Sequence, residues 1–174
     1  MTEFEDEYSA SIESEVRELR GALLGDTINT LSPTEPVCLS ATASVHDAVA
    51  HMLKGRQPGV LVVDPQGRLI GIFTERDLLT RVVGVGRDPR ATSLSEVMTR
   101  EPEALSPLAR VCYAVNRMSV AGYRTIPLVD EAHHPIGVVT VHDFIKWLAH
   151  LFPEAVLNLP PRDELKRPLE VDAG

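Results

Sequence analysis

The chain has 174 residues, is 44 % hydrophobic but only 5 % aromatic, and carries a formal net charge of −8. That length supports one or two small domains with a core built mostly of Val, Leu, Ile and Ala. The negative balance argues against a general nucleic-acid binder, which needs a basic face to displace counterions, and no apolar run approaches the roughly 18 residues of a membrane-spanning helix.

The acidic start, Met1 to Glu7, has no apolar signal-peptide core, and residues 1–8 are expected to fray. From Ser9 to Leu24 a helical period emerges, with Ile12, Val16, Leu19 and Leu23 on one stripe and Gly25-Asp26 as its stop. The stripe must bury against its own domain or against a dimer partner. The two cysteines, Cys38 and Cys112, both lie inside apolar stretches and are expected to be buried free thiols, which suits a reducing cytoplasm.

From Asp26 the chain repeats itself. At a fixed offset of 66 residues and without a gap, residues 35–77 and 101–143 are identical at 15 of 43 positions. The matches include Pro36/Pro102, Leu39/Leu105, Val45/Val111, Met52/Met118, Asp64/Asp130, Gly71/Gly137, Thr74/Thr140 and Asp77/Asp143. Two copies of one supersecondary unit are implied, stacked by a pseudo-two-fold. The chain divides into an acidic segment with an amphipathic helix (1–25), a first repeat (26–86), a second repeat (87–152) and a largely flexible tail (153–174), in which Ala155 to Leu159 is apolar enough to dock.

Each copy carries the same elements in the same order. A short extended segment (Val37-Cys38-Leu39; Glu103-Ala104-Leu105) precedes a helix whose apolar face is Val45, Ala48, Val49 and Met52, or Val111, Ala114, Val115 and Met118. Ser44-Val45-His46-Asp47 reads as a capping box for the first of these helices. Continuous apolar runs, Val60 to Val63 and Ile126 to Val129, suit strands buried on both faces. Turns at Asp64-Pro65-Gln66-Gly67 and Asp130-Glu131-Ala132-His133 lead to second strands, Leu69 to Phe73 and Ile136 to Val139, and then to a last helix. The unit is β-α-β-β-α and the fold class α/β. Ser93-Leu94-Ser95-Glu96 is a further capping box opening the second copy, and the final helix, Asp143 to Phe152, is apolar on more than one face.

Chemistry concentrates at the two strand-to-helix junctions, Gly71-Ile72-Phe73-Thr74-Glu75-Arg76-Asp77 and Gly137-Val138-Val139-Thr140-Val141-His142-Asp143. A helix N-terminus attracts anions, a Thr there adds a hydroxyl, and a carboxylate one turn on can hold the vicinal hydroxyls of a ribose. Thr-x-x-Asp is equally a capping box that needs no ligand. The Gly that leads each motif permits close backbone approach.

With these motifs, and with Met98-Thr99-x-x-Pro102 leading the second copy, residues 27–150 resemble a pair of cystathionine β-synthase (CBS) domains, a Bateman module. The resemblance implies a non-enzymatic regulatory module that binds adenosine ligands (AMP, ADP, ATP, S-adenosylmethionine) in clefts between the repeats, forms a homodimer and modulates an unidentified effector protein. No effector domain is expected within the chain. Carried over, Thr74 and Asp77 would work with Thr99, Ala104 and the loop Tyr123-Arg124-Thr125, Arg124 gripping phosphate. Thr140 and Asp143 would work with Thr34, Val37, Cys38 and the loop Gln57-Pro58-Gly59. Two departures stand out: Gln57-Pro58-Gly59 lacks a basic residue, and Glu103 puts a charge where an adenine pocket should be, so one cleft is expected to be altered.

Elsewhere the signals are plain. The six histidines have no recurring third ligand and are expected at the surface rather than on a metal. Arg81, Arg87, Arg90 and Arg100 cluster near the linker and are expected to be solvated, with a phosphate or partner contact as the alternative. No nucleophile-base-orienter set is present in the sequence, so the reading that competes with a sensor is a scaffolding dimer with empty clefts.

Overall fold

The computed structural model describes residues 3–152, with side chains from Glu13 onward. The tail at 153–174 and its apolar piece at 155–159 lie outside the described residues. Helix α1 spans Glu3–Gly25 and starts six residues before the expected Ser9. No Pro or Gly interrupts the chain between Glu3 and Arg20, so nothing in the backbone stops the helix from extending toward the N-terminus. Its C-terminal part docks on its own chain through Leu19, Ala22 and Leu23. Val16, on the same stripe, is left exposed, and Ile12 falls outside the described side chains.

The first repeat contributes β1 (Cys38–Ser40), α2 (Val45–Gly55), β2 (Gly59–Val63), β3 (Leu69–Thr74) and α3 (Glu75–Asp77). The second contributes α4 (Leu94–Val97), β4 (Thr99–Arg100), α5 (Val111–Val120), β5 (Thr125–Val129), β6 (Pro135–Thr140) and α6 (Val141–Leu151). The offset of 66 is kept to the residue. In the first hairpin Gly59, Val60, Leu61, Val62 and Val63 face Thr74, Phe73, Ile72, Gly71 and Leu69. In the second, Thr125, Ile126, Pro127, Leu128 and Val129 face Thr140, Val139, Val138, Gly137 and Pro135. Both hairpins slip at the same place, between Val62/Val63 and Leu128/Val129. The parallel pairing of Leu39 with Val62 recurs as that of Leu105 with Leu128.

The repeats exchange their leading segments. β4, from the second repeat, pairs antiparallel with β3 of the first, and Thr34 of the first repeat bridges to Val138 of the second. Leu94, Val97 and Met98 complete the core of the first repeat around Val45, Val60, Val62 and Phe73. Ile28 and Leu31 complete the core of the second around Val111, Ile126, Leu128, Val139 and Trp147. The crossing hydrogen bonds obey the same symmetry: Leu94 N donates to Ala43 O and Ile28 N to Ala109 O, each at 2.9 Å. A third apolar cluster, Leu61, Leu69, Ile72 and Val138, joins the two sheets.

Three details differ from the sequence expectations. Cys38 is exposed, because in β1 the side chains alternate and Leu39 alone turns inward, and Cys112, on α5, is half-buried. Ser44 accepts from Asp47 N at 3.0 Å, but the Asp47 carboxylate turns to His46, so that cap is one-sided. The last helix of the first repeat is not regular: after α3 the chain passes through a π-helical stretch, Leu78–Val82, and a 3-10 turn, Val83–Val85. Its counterpart α6 is α-helical throughout.

Candidate functional site

Both junctions form reciprocal caps. Asp77 Oδ2 accepts from Thr74 N at 3.0 Å and from Thr74 Oγ1 at 2.8 Å, while Asp77 N donates to Thr74 Oγ1 at 3.4 Å. Asp143 Oδ2 accepts from Thr140 N at 2.8 Å and Thr140 Oγ1 at 2.7 Å, and Asp143 N donates back at 3.3 Å. The two carboxylates are buried, at 7 % and 8 % exposure. Each Thr leaves its strand in extended conformation, so its side chain can reach forward over the first turn.

The capping bonds use one carboxylate oxygen. At the first junction the other, Asp77 Oδ1, meets Thr99 Oγ1 at 3.4 Å and Arg81 Nη1 at 3.4 Å. Arg81 is held there by donating to Val97 O at 2.9 Å. Such long contacts leave Oδ1 with acceptor capacity for a ligand hydroxyl.

Asp77 belongs to the wall of a cleft of about 1030 Å³ between the two repeats. Thr74, Asp77, Thr99, Tyr123, Arg124 and Thr125, the set expected from sequence, all line it. Ala104 does not. It packs against the Leu61, Leu69, Ile72 and Val138 cluster, and the preceding Glu103 lines the cleft in its place. Glu103 is held by an ion pair, its Oε1 at 2.6 Å from Arg117 Nε, so its charge is met on the wall.

Sequence reasoning did not assign part of the basic lining to the cleft. Arg81 and Arg100, read as linker residues, line the cleft together with Arg76. The spacing of Arg81, one turn after Asp77, was the available signal. Arg87, by contrast, pairs with Glu96 at 3.3 Å. Among the described residues no ion pair engages Arg76 or Arg124.

The second expected set is arranged differently. Val37 packs on the first core and its carbonyl accepts from Leu61 N at 2.8 Å. Cys38 is exposed and pairs with Leu61 along the strand, Thr34 bridges to Val138, and Gly59 opens β2 opposite Thr74. Gln57 Nε2 donates to Glu35 O at 2.7 Å.

A family model described as "CBS domain" matches residues 28–84 and again 94–150. The chain is 31 % identical over 143 residues to the Meiotically up-regulated gene 70 protein of Schizosaccharomyces pombe, covering 82 % of this chain and 18 % of that protein. It is 31 % identical over 120 residues to the mitochondrial CBS domain-containing protein CBSX3 of Arabidopsis thaliana, covering 67 % and 58 %. It therefore spans less than two thirds of the length of either relative. Among solved structures, the CBS domain pair of protein MJ0100, in complex with 5-methylthioadenosine and S-adenosyl-L-methionine, superposes with a TM-score of 0.64 at 21 % identity, covering 71 % of this chain and 99 % of that one. CBSX2 in complex with AMP gives 0.62 at 19 % identity, covering 73 % and 98 %. At these identities the likeness speaks to the fold.

Proposed function

Since the chain belongs to the CBS domain family, with two CBS domains in tandem, we propose that it is a regulatory module that senses an adenosine-containing ligand in the cleft between its repeats. The observation that carries this reading is the single wall on which a buried carboxylate, Asp77, holds its second oxygen only by long contacts to Thr99 and Arg81, while Arg76 and Arg124 have no ion-pair partner among the described residues. A carboxylate facing a vicinal diol and guanidiniums facing a phosphate are the complementary chemistry of a nucleotide. The ligands named with the similar structures, AMP in one and 5-methylthioadenosine with S-adenosyl-L-methionine in the other, supply the class to test, and ADP and ATP extend it.

The module is non-enzymatic in this reading: the ligand is an effector and no catalytic cofactor is involved. An effector shifts a conformational equilibrium only through its differential affinity for the two states. The output is then a rearrangement of a homodimer or a change in affinity for an effector protein. The free thiols Cys38 and Cys112 support a cytoplasmic setting. Among the described residues no helix is long and apolar enough to cross a membrane. The domain units proposed are 26–86 and 87–152, each completed by the leading segment of the other.

A thermal-shift screen against AMP, ADP, ATP, S-adenosylmethionine and NAD tests this, with Asp77→Asn alongside. A ligand at about 100 times its Kd stabilises by about 2.7 kcal/mol, which for a chain of this size is a rise of about 5–10 °C. A rise abolished in Asp77→Asn supports the sensor. No rise with any of the five ligands leaves the module as a scaffold in which Thr-x-x-Asp serves only as a cap.

A further inference from the structure

The helix after Asp77 changes its winding beside the cleft, and we infer that this π turn presents Arg81 as the residue by which the site distinguishes phosphorylated adenosine from the bare nucleoside. The inference rests on the nucleotide-sensing reading above and adds which wall arginine sets the selectivity and how the backbone delivers it.

In an α-helix the third and fourth residues after an apolar position share its face. The last helix of the second repeat follows this rule, with Phe144, Trp147 and Leu148 all packed in the second core. The residues at the same offset in the first repeat are Leu78, Arg81 and Val82. A regular helix would therefore turn Arg81 toward the core along with its apolar neighbours. A π turn closes over five residues instead of four, so each residue advances less around the axis. Here Val83 N donates to Leu78 O, five residues back, Val82 is fully buried, and Arg81 lines the cleft.

Two neighbours suit the chain to this winding. Thr80 Oγ1 donates to Arg76 O at 2.7 Å, a side-chain bond that competes with the helical ladder. Gly84 lies so close to the turn that a Cβ there would stand 2.9 Å from Leu79 O, and its counterpart in the regular α6 is His150.

Arg81 is also the wall arginine fixed beside the buried carboxylate. Its Nη1 donates to Val97 O at 2.9 Å and stands 3.4 Å from Asp77 Oδ1. Arg100 is drawn instead to Ser95 O, at 2.8 Å. A guanidinium has five donors, and Nε and Nη2 of Arg81 make no hydrogen bond among the described residues. A ligand whose ribose sits at Asp77 brings its phosphate within reach of that open edge. Because the head group is already anchored, little side-chain freedom is lost on binding.

Titration calorimetry on the full chain with AMP and with adenosine tests this, since the two differ only in the phosphate. Wild type should bind AMP the more tightly. In Arg81→Gln the affinity for AMP should fall about tenfold, as for loss of a charge-assisted hydrogen bond, and that for adenosine by less than about threefold. Arg81→Lys, which keeps the charge, should hold AMP at least about threefold more tightly than Arg81→Gln. Gly84 does not line the cleft, yet Gly84→Ala should weaken AMP more than adenosine. AMP affinity unchanged in Arg81→Gln, AMP and adenosine weakened in step, equal affinities in the Lys and Gln variants, or a wild type that binds adenosine as tightly as AMP each overturns the inference while the sensor reading stands. An AMP preference untouched by Gly84→Ala overturns the part given to the π turn. A wild type that binds neither compound overturns the sensor reading and the inference together.

Discussion

Replacing Asp77 with alanine should destabilise the fold before any ligand is considered, and by an amount the geometry allows to be worked out. Oδ2 accepts from Thr74 N at 3.0 Å and Thr74 Oγ1 at 2.8 Å. Loss of such a cap costs about 1 kcal/mol, and leaving two half-buried donors without an acceptor adds about 1 kcal/mol more. The contact with Arg81 adds little, because that side chain is 44 % exposed and solvent screens the pair. The expected loss is about 2 kcal/mol. With a urea m-value of about 2 kcal/mol/M for a chain of this size, the midpoint should fall by about 1 M. Asp77→Asn keeps one oxygen for Thr74 and should lose less than half as much. Asp143→Ala removes the same cap and should match Asp77→Ala within about 0.5 kcal/mol. Urea unfolding followed by far-UV circular dichroism measures all three. A midpoint for Asp77→Ala within about 0.2 M of wild type, or an Asn variant as weak as the Ala variant, would refute the assignment of the carboxylate as cap.

Three further outcomes are expected. The exchange of leading segments makes each core incomplete without the other repeat, so Trp147 fluorescence, which reports the second core, should unfold coincidently with circular dichroism; two separated transitions would contradict the shared cores. Gly71→Ala should cost about 1–3 kcal/mol, because its Cβ would lie 3.2 Å from Thr99 O and closer still to the Met98 sulfur, whereas Gly137→Ala meets nothing nearer than 3.4 Å and should cost less than about 1 kcal/mol; equal thermal midpoints would show that the two strands are not packed differently. Asp64 and Asp130 have carboxyls held below their ordinary 3.8 by backbone hydrogen bonds in the hairpin turns, from Arg68 and from His134 respectively. Their folded values are depressed, so their contribution is present above the unfolded value and lost as pH falls through the folded one. The Asp64→Asn, Asp130→Asn double variant should therefore lose stability less steeply than wild type as pH is taken below 3.8, and an unchanged acid limb would count against these bonds.

The repeat was legible because an ungapped offset forces identical register: once Gly71 is matched to Gly137, every hairpin pair follows. The apolar patterns were legible too: α2 and α5 begin on the expected Val45 and Val111, and the four hairpin strands lie within a residue of their expected bounds. What stayed hidden depends on very short elements. Cys38 sits among apolar neighbours, yet in a three-residue strand the period of two alone decides its side, and it points out. The exchanged strand β4 is two residues long, too short to leave a pattern, and its partner β3 lies in the other repeat. The π-helical stretch after Asp77 follows from backbone detail: the first copy ends on Gly84 and Gly86, where the second has His150 and Phe152.

The capping and ligand readings of Thr-x-x-Asp, posed as rivals by the sequence, use different atoms of one carboxylate. The cap employs Oδ2 in both repeats, and that bond fixes the carboxylate plane. A fixed plane is what a ligand contact requires, because the second oxygen is then presented without loss of side-chain freedom at the moment of binding. At Asp77 the second oxygen is met by Thr99, from the exchanged strand β4, and by Arg81 of its own repeat, which also donates to Val97 O. At Asp143 the same cap is built but the counterparts of those residues are Pro33 and the buried Trp147. The cap is thus the common foundation, and the two junctions differ in which groups stand at the remaining oxygen.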